Sequence, residues 1–192
     1  MNLQRLFRLR GLAVIGASPG SYFSDRLFEN LAHRAAGLEV FPVNPTCKTA
    51  YKRRCHRAVG DVAGRVDAAF LLVEAARAPG LLVECADAGV KTALILDSPA
   101  AAGKLGEEIR RIAGKREMTV LGPACMGYLD THEGMTVYAG RLPGGPLPRG
   151  RVSVIADSGG LLNEFFRAAS GERRWGVRRA MSAGRQAAVS AG

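Results

Sequence analysis

The residues best suited to chemistry lie in a glycine turn, Leu12-Ala-Val-Ile-Gly-Ala-Ser-Pro-Gly20, where a buried apolar strand gives way to the first helical pattern. Glycine there lets the backbone approach a phosphate, and the unpaired N–H groups and dipole of a helix start favour an anion. A dinucleotide of the NAD type also needs a carboxylate at the end of the second strand to hold its ribose hydroxyls. That position reads Pro42-Val-Asn-Pro45, and Lys48, Lys52, Arg53, Arg54 and Arg57 follow with no acid among them. The run puts positive charge where NAD requires negative. A ligand with extra phosphates, such as a 3′-phosphorylated ADP moiety, fits better, because cations gain most against dianionic phosphate.

A second turn of this kind, Asp157-Ser-Gly-Gly160, separates an apolar run from a helical one. Its Ser-Gly pair could present N–H groups to an anion, or Asp157 or Ser158 could cap the helix, and the residue types leave both open. Cys47, Cys55, Cys85 and Cys125 form no C-x-x-C pair and follow no secretory signal, so they read as reduced thiols of a cytoplasmic protein without structural zinc. His33, His56 and His132 are scattered and read as surface or capping residues.

Positioning these groups requires short buried strands alternating with helices, the pattern of a parallel sheet with crossover connections. The hydrophobic runs predict strands at Leu12–Ile15, Leu38–Val43, Ala68–Val73, Val90–Leu96, Met118–Leu121 and Met135–Tyr138. Three-to-four spacing predicts helices at Asp25–Ala36, Pro79–Ala88 and Ala101–Lys115. Residues 1–10 read as a short helix packed by Leu3, Leu6 and Phe7 rather than a transit peptide. Leu142-Pro-Gly-Gly-Pro-Leu-Pro-Arg-Gly150 breaks every regular pattern. Beyond it a strand at Arg151–Ala156, a helix at Leu161–Ser170 and a strand near Val177–Met181 open a second unit, too small to bury a core alone.

Composition sets the outer bounds. With 47% apolar and 23% charged residues among 192, the chain is globular, and no apolar stretch approaches the roughly 18 residues needed to span a bilayer. Lys and Arg number 27 against 17 Asp and Glu, a net +10 that calls for a polyanionic partner. Nucleic acid is the weaker choice, since aromatics are only 6% of the chain and do not interleave with the basic residues.

Three strings, Leu6-Phe7-x-x-Arg10-x-Leu12-Ala-Val-Ile-Gly-Ala-Ser18, Val40-Phe-Pro-Val-Asn-Pro45 and Val120-Leu-Gly-Pro-Ala-Cys-Met-Gly127, together resemble the CoA-binding domain of the NDP-forming acyl-CoA synthetases. That family includes the ADP-forming acetate-CoA ligases and the α subunit of succinyl-CoA synthetase. Val154-Ile-Ala-Asp-Ser-Gly-Gly160 and Met181-Ser-Ala-Gly184 resemble the opening of its next domain. The resemblance implies an α/β protein: a Rossmann-like doubly wound parallel sheet over residues 1–143, a linker at 144–150, and an incomplete succinyl-CoA-ligase-like, flavodoxin-like α/β domain over 151–192. It implies coenzyme A as cofactor. Gly16, Ala17 and Ser18 would line the nucleotide and pyrophosphate, while Asn44, Pro45 and Lys48 would hold the adenosine and its phosphates. Val73, Glu74 and Ala75 with Asp97, Ser98 and Pro99 would run along the pantetheine arm, and Cys125 would lie near the arriving thiol. Ser158, Gly159 and Gly160 would face the phosphate of a phosphohistidine.

The family's phosphohistidine belongs in the second domain, where this chain has no histidine, and a nucleotide-grasp part is missing from these residues. The motifs also depart from the pattern: Ala124 replaces Asn in Gly-Pro-Asn-Cys, Glu74 replaces proline, and Arg185-Gln-Ala-Ala188 replaces Asn and acidic residues. The reading is therefore a CoA- or acyl-CoA-binding portion of such a synthetase, with no catalytic residue assigned and an ATP-grasp subunit or downstream domains, or a homo- or hetero-oligomer, completing it. The alternative is a non-catalytic CoA- or nucleotide-binding regulatory or assembly module.

Overall fold

The computed structural model describes residues 6–34, 37–97, 103–171 and 175–185. A five-stranded parallel sheet holds β1 (Gly11–Ile15), β2 (Glu39–Val43), β5 (Ala68–Leu71), β6 (Thr92–Ile95) and β7 (Thr119–Leu121) in the order β2-β1-β5-β6-β7. Period-two alternation on strands buried on both sides divides the core in two. Leu12, Val14, Phe70, Leu94 and Leu121 face α1 (Tyr22–Arg34) through Leu27, Phe28 and Leu31. Ala13, Ile15, Leu71, Ile95 and Val120 face α2 (Ala78–Asp87) and α3 (Gly103–Lys115) through Leu82, Cys85, Ile109 and Ile112. The outcome is the expected Rossmann-like doubly wound sheet.

Leu6 and Phe7 form the end of a short 3-10 turn and are buried, as is Leu9; Leu3 lies outside the described residues. Two strand pairs were not anticipated. The cationic run after β2 forms a small antiparallel hairpin, β3 (Thr49–Ala50) and β4 (Arg53–Arg54), because its turn residues Tyr51 and Lys52 take positive φ (52° and 60°). Gly127–Asp130 forms β8, paired antiparallel with β9 (Met135–Tyr138).

The second sheet runs β10-β11-β8-β9, where β10 is Arg149–Ala156 and β11 Val177–Ser182. Strands from both sides of the Pro-Gly segment thus share one sheet, with β11 parallel to β10 and antiparallel to β8. β10 starts at Arg149, inside the segment expected to link. Helix α4 (Gly159–Ala169) covers one face through Leu162, Phe166 and Ala169, packed on Leu129, Tyr138 and Ala180. Among the described residues no helix is long and apolar enough to cross a membrane.

Candidate functional site

The loops that carry the predicted residues leave the carboxyl ends of the parallel strands, and the sheet order reverses between β1 and β5. That crevice is where open α/β sheets place their ligands. Gly16 follows β1 with φ +86°, its N–H donating to Val43 O at 2.9 Å. A Cβ there would lie 2.6 Å from Val73 Cγ1 and 2.8 Å from Leu72 O, so glycine is required by both the backbone conformation and the close approach of the β5 loop.

The rest of the turn is tied to its neighbours by side chains. Asn44 donates from Nδ2 to Ala17 O at 2.9 Å, while its Oδ1 accepts from the N–H and hydroxyl of Thr46 at 3.0 and 2.8 Å. Ser18 N–H donates to Ser24 Oγ at 3.1 Å, and Gly20 N–H to Asp25 Oδ1 at 3.1 Å. The Tyr51 hydroxyl lies 2.6 Å from Asp25 Oδ1, 2.9 Å from Ser24 Oγ and 3.0 Å from Ser18 O. Burial, reinforced by Asp25, pushes this hydroxyl up to about 12, so it remains a donor across ordinary pH. The predicted cations Lys48, Lys52, Arg53, Arg54 and Arg57 are exposed, and Pro45 is exposed beside them. Lys48 O accepts the Cys55 N–H at 3.0 Å, closing the base of the hairpin.

A second chain of contacts joins the loops after β5, β6 and β7. Ala75 N–H donates to Asp97 Oδ2 at 2.8 Å, and Ala124 N–H donates to Asp97 O at 3.0 Å. Val73 is half-buried against Gly16, and Glu74 is exposed at the start of a short 3-10 turn over Ala75–Arg77. Ser98 and Pro99 lie outside the described residues. Cys125 is fully buried, with its thiol donating to Ser182 O at 2.8 Å. Burial pushes the thiol up to about 12, so it stays protonated and cannot act as a thiolate.

Of the two readings left open at Asp157–Gly160, the cap is formed: Ser158 Oγ accepts from Leu161 N–H at 3.4 Å at the start of α4. Gly159 is buried because Met126 packs against it; a Cβ there would meet Met126 Sδ at 1.9 Å. Gly160 is exposed. The turn therefore lies beside the loop that follows Cys125. His33 and His132 are exposed; the His132 ring meets Gly150 O at 3.0 Å, and His56 is held through its backbone to Pro42 and Asn44.

The fold brings Gly16, Ala17, Ser18, Asn44 and Val73 into one neighbourhood and links Ala75, Asp97 and Ala124 in another. Tyr51, Ser24 and Asp25 were not singled out from sequence, although the lone aromatic Tyr51 directly before Lys52-Arg53-Arg54 was the available signal. A 420 Å³ groove lies beside them, lined by Asp25, Phe28, Val40, Tyr51, Lys52 and Arg53 among others. A separate 640 Å³ cavity, walled by the later turns of α1 and the Pro-Gly segment, contains none of the predicted residues. The arrangement can hold a phosphorylated ligand, and its described residues include no activated nucleophile.

Known proteins sharpen this picture. The chain is 30% identical over 162 residues to the ADP-forming acetate-CoA ligase of Methanocaldococcus jannaschii, covering 82% of this chain and 22% of that protein. It is 32% identical over 167 residues to the α subunit of the ADP-forming acetate-CoA ligase II of Pyrococcus furiosus, covering 83% of this chain and 35% of the subunit. The chain thus spans only about a fifth to a third of the length of these relatives. A dinucleotide-forming acetyl-coenzyme A synthetase of Ca. Korarchaeum cryptofilum, solved with phosphate and ADP, superposes with a TM-score of 0.89 at 30% identity over 99% of this chain and 41% of that one. Residues 10–131, which contain the glycine turn, the cationic hairpin and the Cys125 loop, match the CoA binding domain model, and the chain belongs to that family.

Proposed function

We propose that this chain supplies the CoA- or acyl-CoA-holding portion of an NDP-forming acyl-CoA synthetase, which joins an acid to CoA with ATP hydrolysis to ADP and phosphate. The observation that carries the reading is the meeting, at the sheet's switch point, of the Gly16–Ser18 turn with a cationic hairpin, through the Tyr51 hydroxyl and Ser18 O, with no carboxylate at the end of β2. Lys48 and its neighbours take the third phosphate of CoA, the one dephospho-CoA lacks, and the loops at Val73–Ala75 and Asp97–Pro99 border the pantetheine arm. On this reading β10, α4 and β11 open a ligase-like domain, with β10 starting at Arg149 inside the segment 144–150 and its sheet completed by β8 and β9 from the preceding region. Ser158–Gly160 there has its cap formed within the chain, so a phosphate at that turn would be met by Gly159 and Gly160 N–H groups rather than by the Ser158 hydroxyl. None of the three histidines stands in that region. The phosphohistidine and nucleotide-grasp functions therefore fall to other residues or to a partner subunit.

Isothermal titration with CoA, dephospho-CoA and NAD tests this. CoA should bind most tightly, and Lys48→Ala should weaken it in a salt-dependent manner. Tighter binding of NAD than of CoA, or equal binding of CoA and dephospho-CoA, would overturn the assignment.

A further inference from the structure

Tyr51 occupies a backbone conformation that a bulky residue rarely adopts. It is the first of two turn residues between β3 and β4, with φ at 52°, where glycine or asparagine is the ordinary choice. Strain at such a position persists only when its surroundings compensate for it, and residues of this kind gather where ligands are held. The compensation here is specific. The Tyr51 ring stacks on Phe28 of α1, centroids 3.9 Å apart and planes 10° off parallel. Its hydroxyl reaches Ser18, Ser24 and Asp25, all on the glycine turn or the first turns of α1.

Two of the groups it reaches, Ser24 Oγ and Asp25 Oδ1, also occupy donors of the turn itself. Gly16 N–H is bound to Val43 O, Ser18 N–H to Ser24 Oγ and Gly20 N–H to Asp25 Oδ1. A carboxylate thus already sits at the glycine turn, so these three amides are not free to cradle a phosphate. The cations able to do so are on the hairpin (Lys52, Arg53, Arg54) and beside it (Lys48, Arg57), and Tyr51 is the side chain that anchors the hairpin's tip to the turn.

We propose that Tyr51 is a positioning residue, a latch that holds the Lys48–Arg57 cations over the glycine turn and thereby gives the site its selectivity for a ligand bearing a third phosphate. The inference rests on the CoA-binding reading but is testable apart from it. Tyr51→Phe keeps the stack and removes the hydroxyl; Tyr51→Gly suits the backbone and removes both.

In the ligand-free protein, hydrogen exchange at the Cys55 amide, which closes the hairpin, should accelerate about five-fold in Tyr51→Phe and further in Tyr51→Gly, with α2 and α3 amides unchanged. Unchanged Cys55 exchange overturns the latch whether or not the wild type binds CoA. In titrations the ratio of CoA to dephospho-CoA affinity should fall about five-fold in Tyr51→Phe, while a purely structural residue would weaken both ligands equally and leave the ratio unmoved. An unmoved ratio overturns the role in selectivity. If the wild type binds no CoA, the binding reading and the selectivity role fall together, and the exchange measurement still decides the latch.

Discussion

Two residues in the loop after β7 show how a single position is decided by what surrounds it. Cys125 was read from sequence as a thiol near the reacting end of the ligand; the structure buries it against Ser182 with its thiol pushed up to about 12. At pH 8 the native protein should react with iodoacetamide at the half-buried Cys47, and the fully buried Cys125 should react only as the protein unfolds. Mapping of modified peptides by mass spectrometry checks this, and early labelling of Cys125 would contradict it. Ala124 stands at φ 62°, a conformation that asparagine tolerates better than alanine. Ala124→Asn should stabilise by about 0.5 kcal/mol and raise Tm by one or two degrees in a thermal scan; a fall in Tm would mean that the side chain finds no room.

The elements around the crevice were largely legible before the structure was known. Each strand of the parallel sheet reads as an apolar run because both faces are covered, and Gly16 reads as a turn glycine because the run stops there. The hairpin β3–β4 was illegible, since its two left-handed turn residues are Tyr51 and Lys52 and carry none of the glycine or asparagine that mark such turns. Strand β8 was hidden for another reason: it is short, follows a Gly-Pro turn and finds its second partner, β11, some fifty residues later. Gly16→Ala should cost about 3 kcal/mol in urea denaturation and abolish ligand binding, because the new Cβ must displace the β5 loop from the crevice. Near-native stability in this variant would remove the steric argument for the turn.

At the scale of the whole molecule, two carboxylates, Asp67 half-buried and Asp130 buried, tie segments distant in sequence. Asp67 accepts from the N–H groups of Arg10 and Gly11 and pairs with the Arg10 guanidinium at 3.1 Å. Asp130 is buried under Arg179 at 2.6 Å and accepts from the N–H groups of His132 and Glu133, joining the β8–β9 hairpin to β11. Burial alone would raise both carboxyls, but these donors and cations outweigh it and hold both below the usual range. A depressed folded-state pKa contributes stability that is present above about pH 4 and lost as pH falls through the lower folded value. Stability by chemical denaturation should therefore be flat from neutral pH down to about 5 and then decline. Asp130→Asn should lower the plateau and flatten the decline, and an unaltered acid limb would exclude Asp130 from this role.

The amino-acid sequence alone determined the parallel α/β architecture and the electrostatic preference for a ligand richer in phosphate than NAD. Both follow from local properties: which stretches are apolar enough to be buried on two faces, and what charge follows a strand end. Only the tertiary structure decided which donors remain available to that ligand. The amides of Gly16, Ser18 and Gly20 are engaged by Val43, Ser24 and Asp25, and Tyr51 crosses from a strained hairpin to meet the turn some thirty residues earlier. Hydrogen bonds between segments so far apart leave no periodic trace in a sequence, because they depend on where the folded sheet brings the loops together.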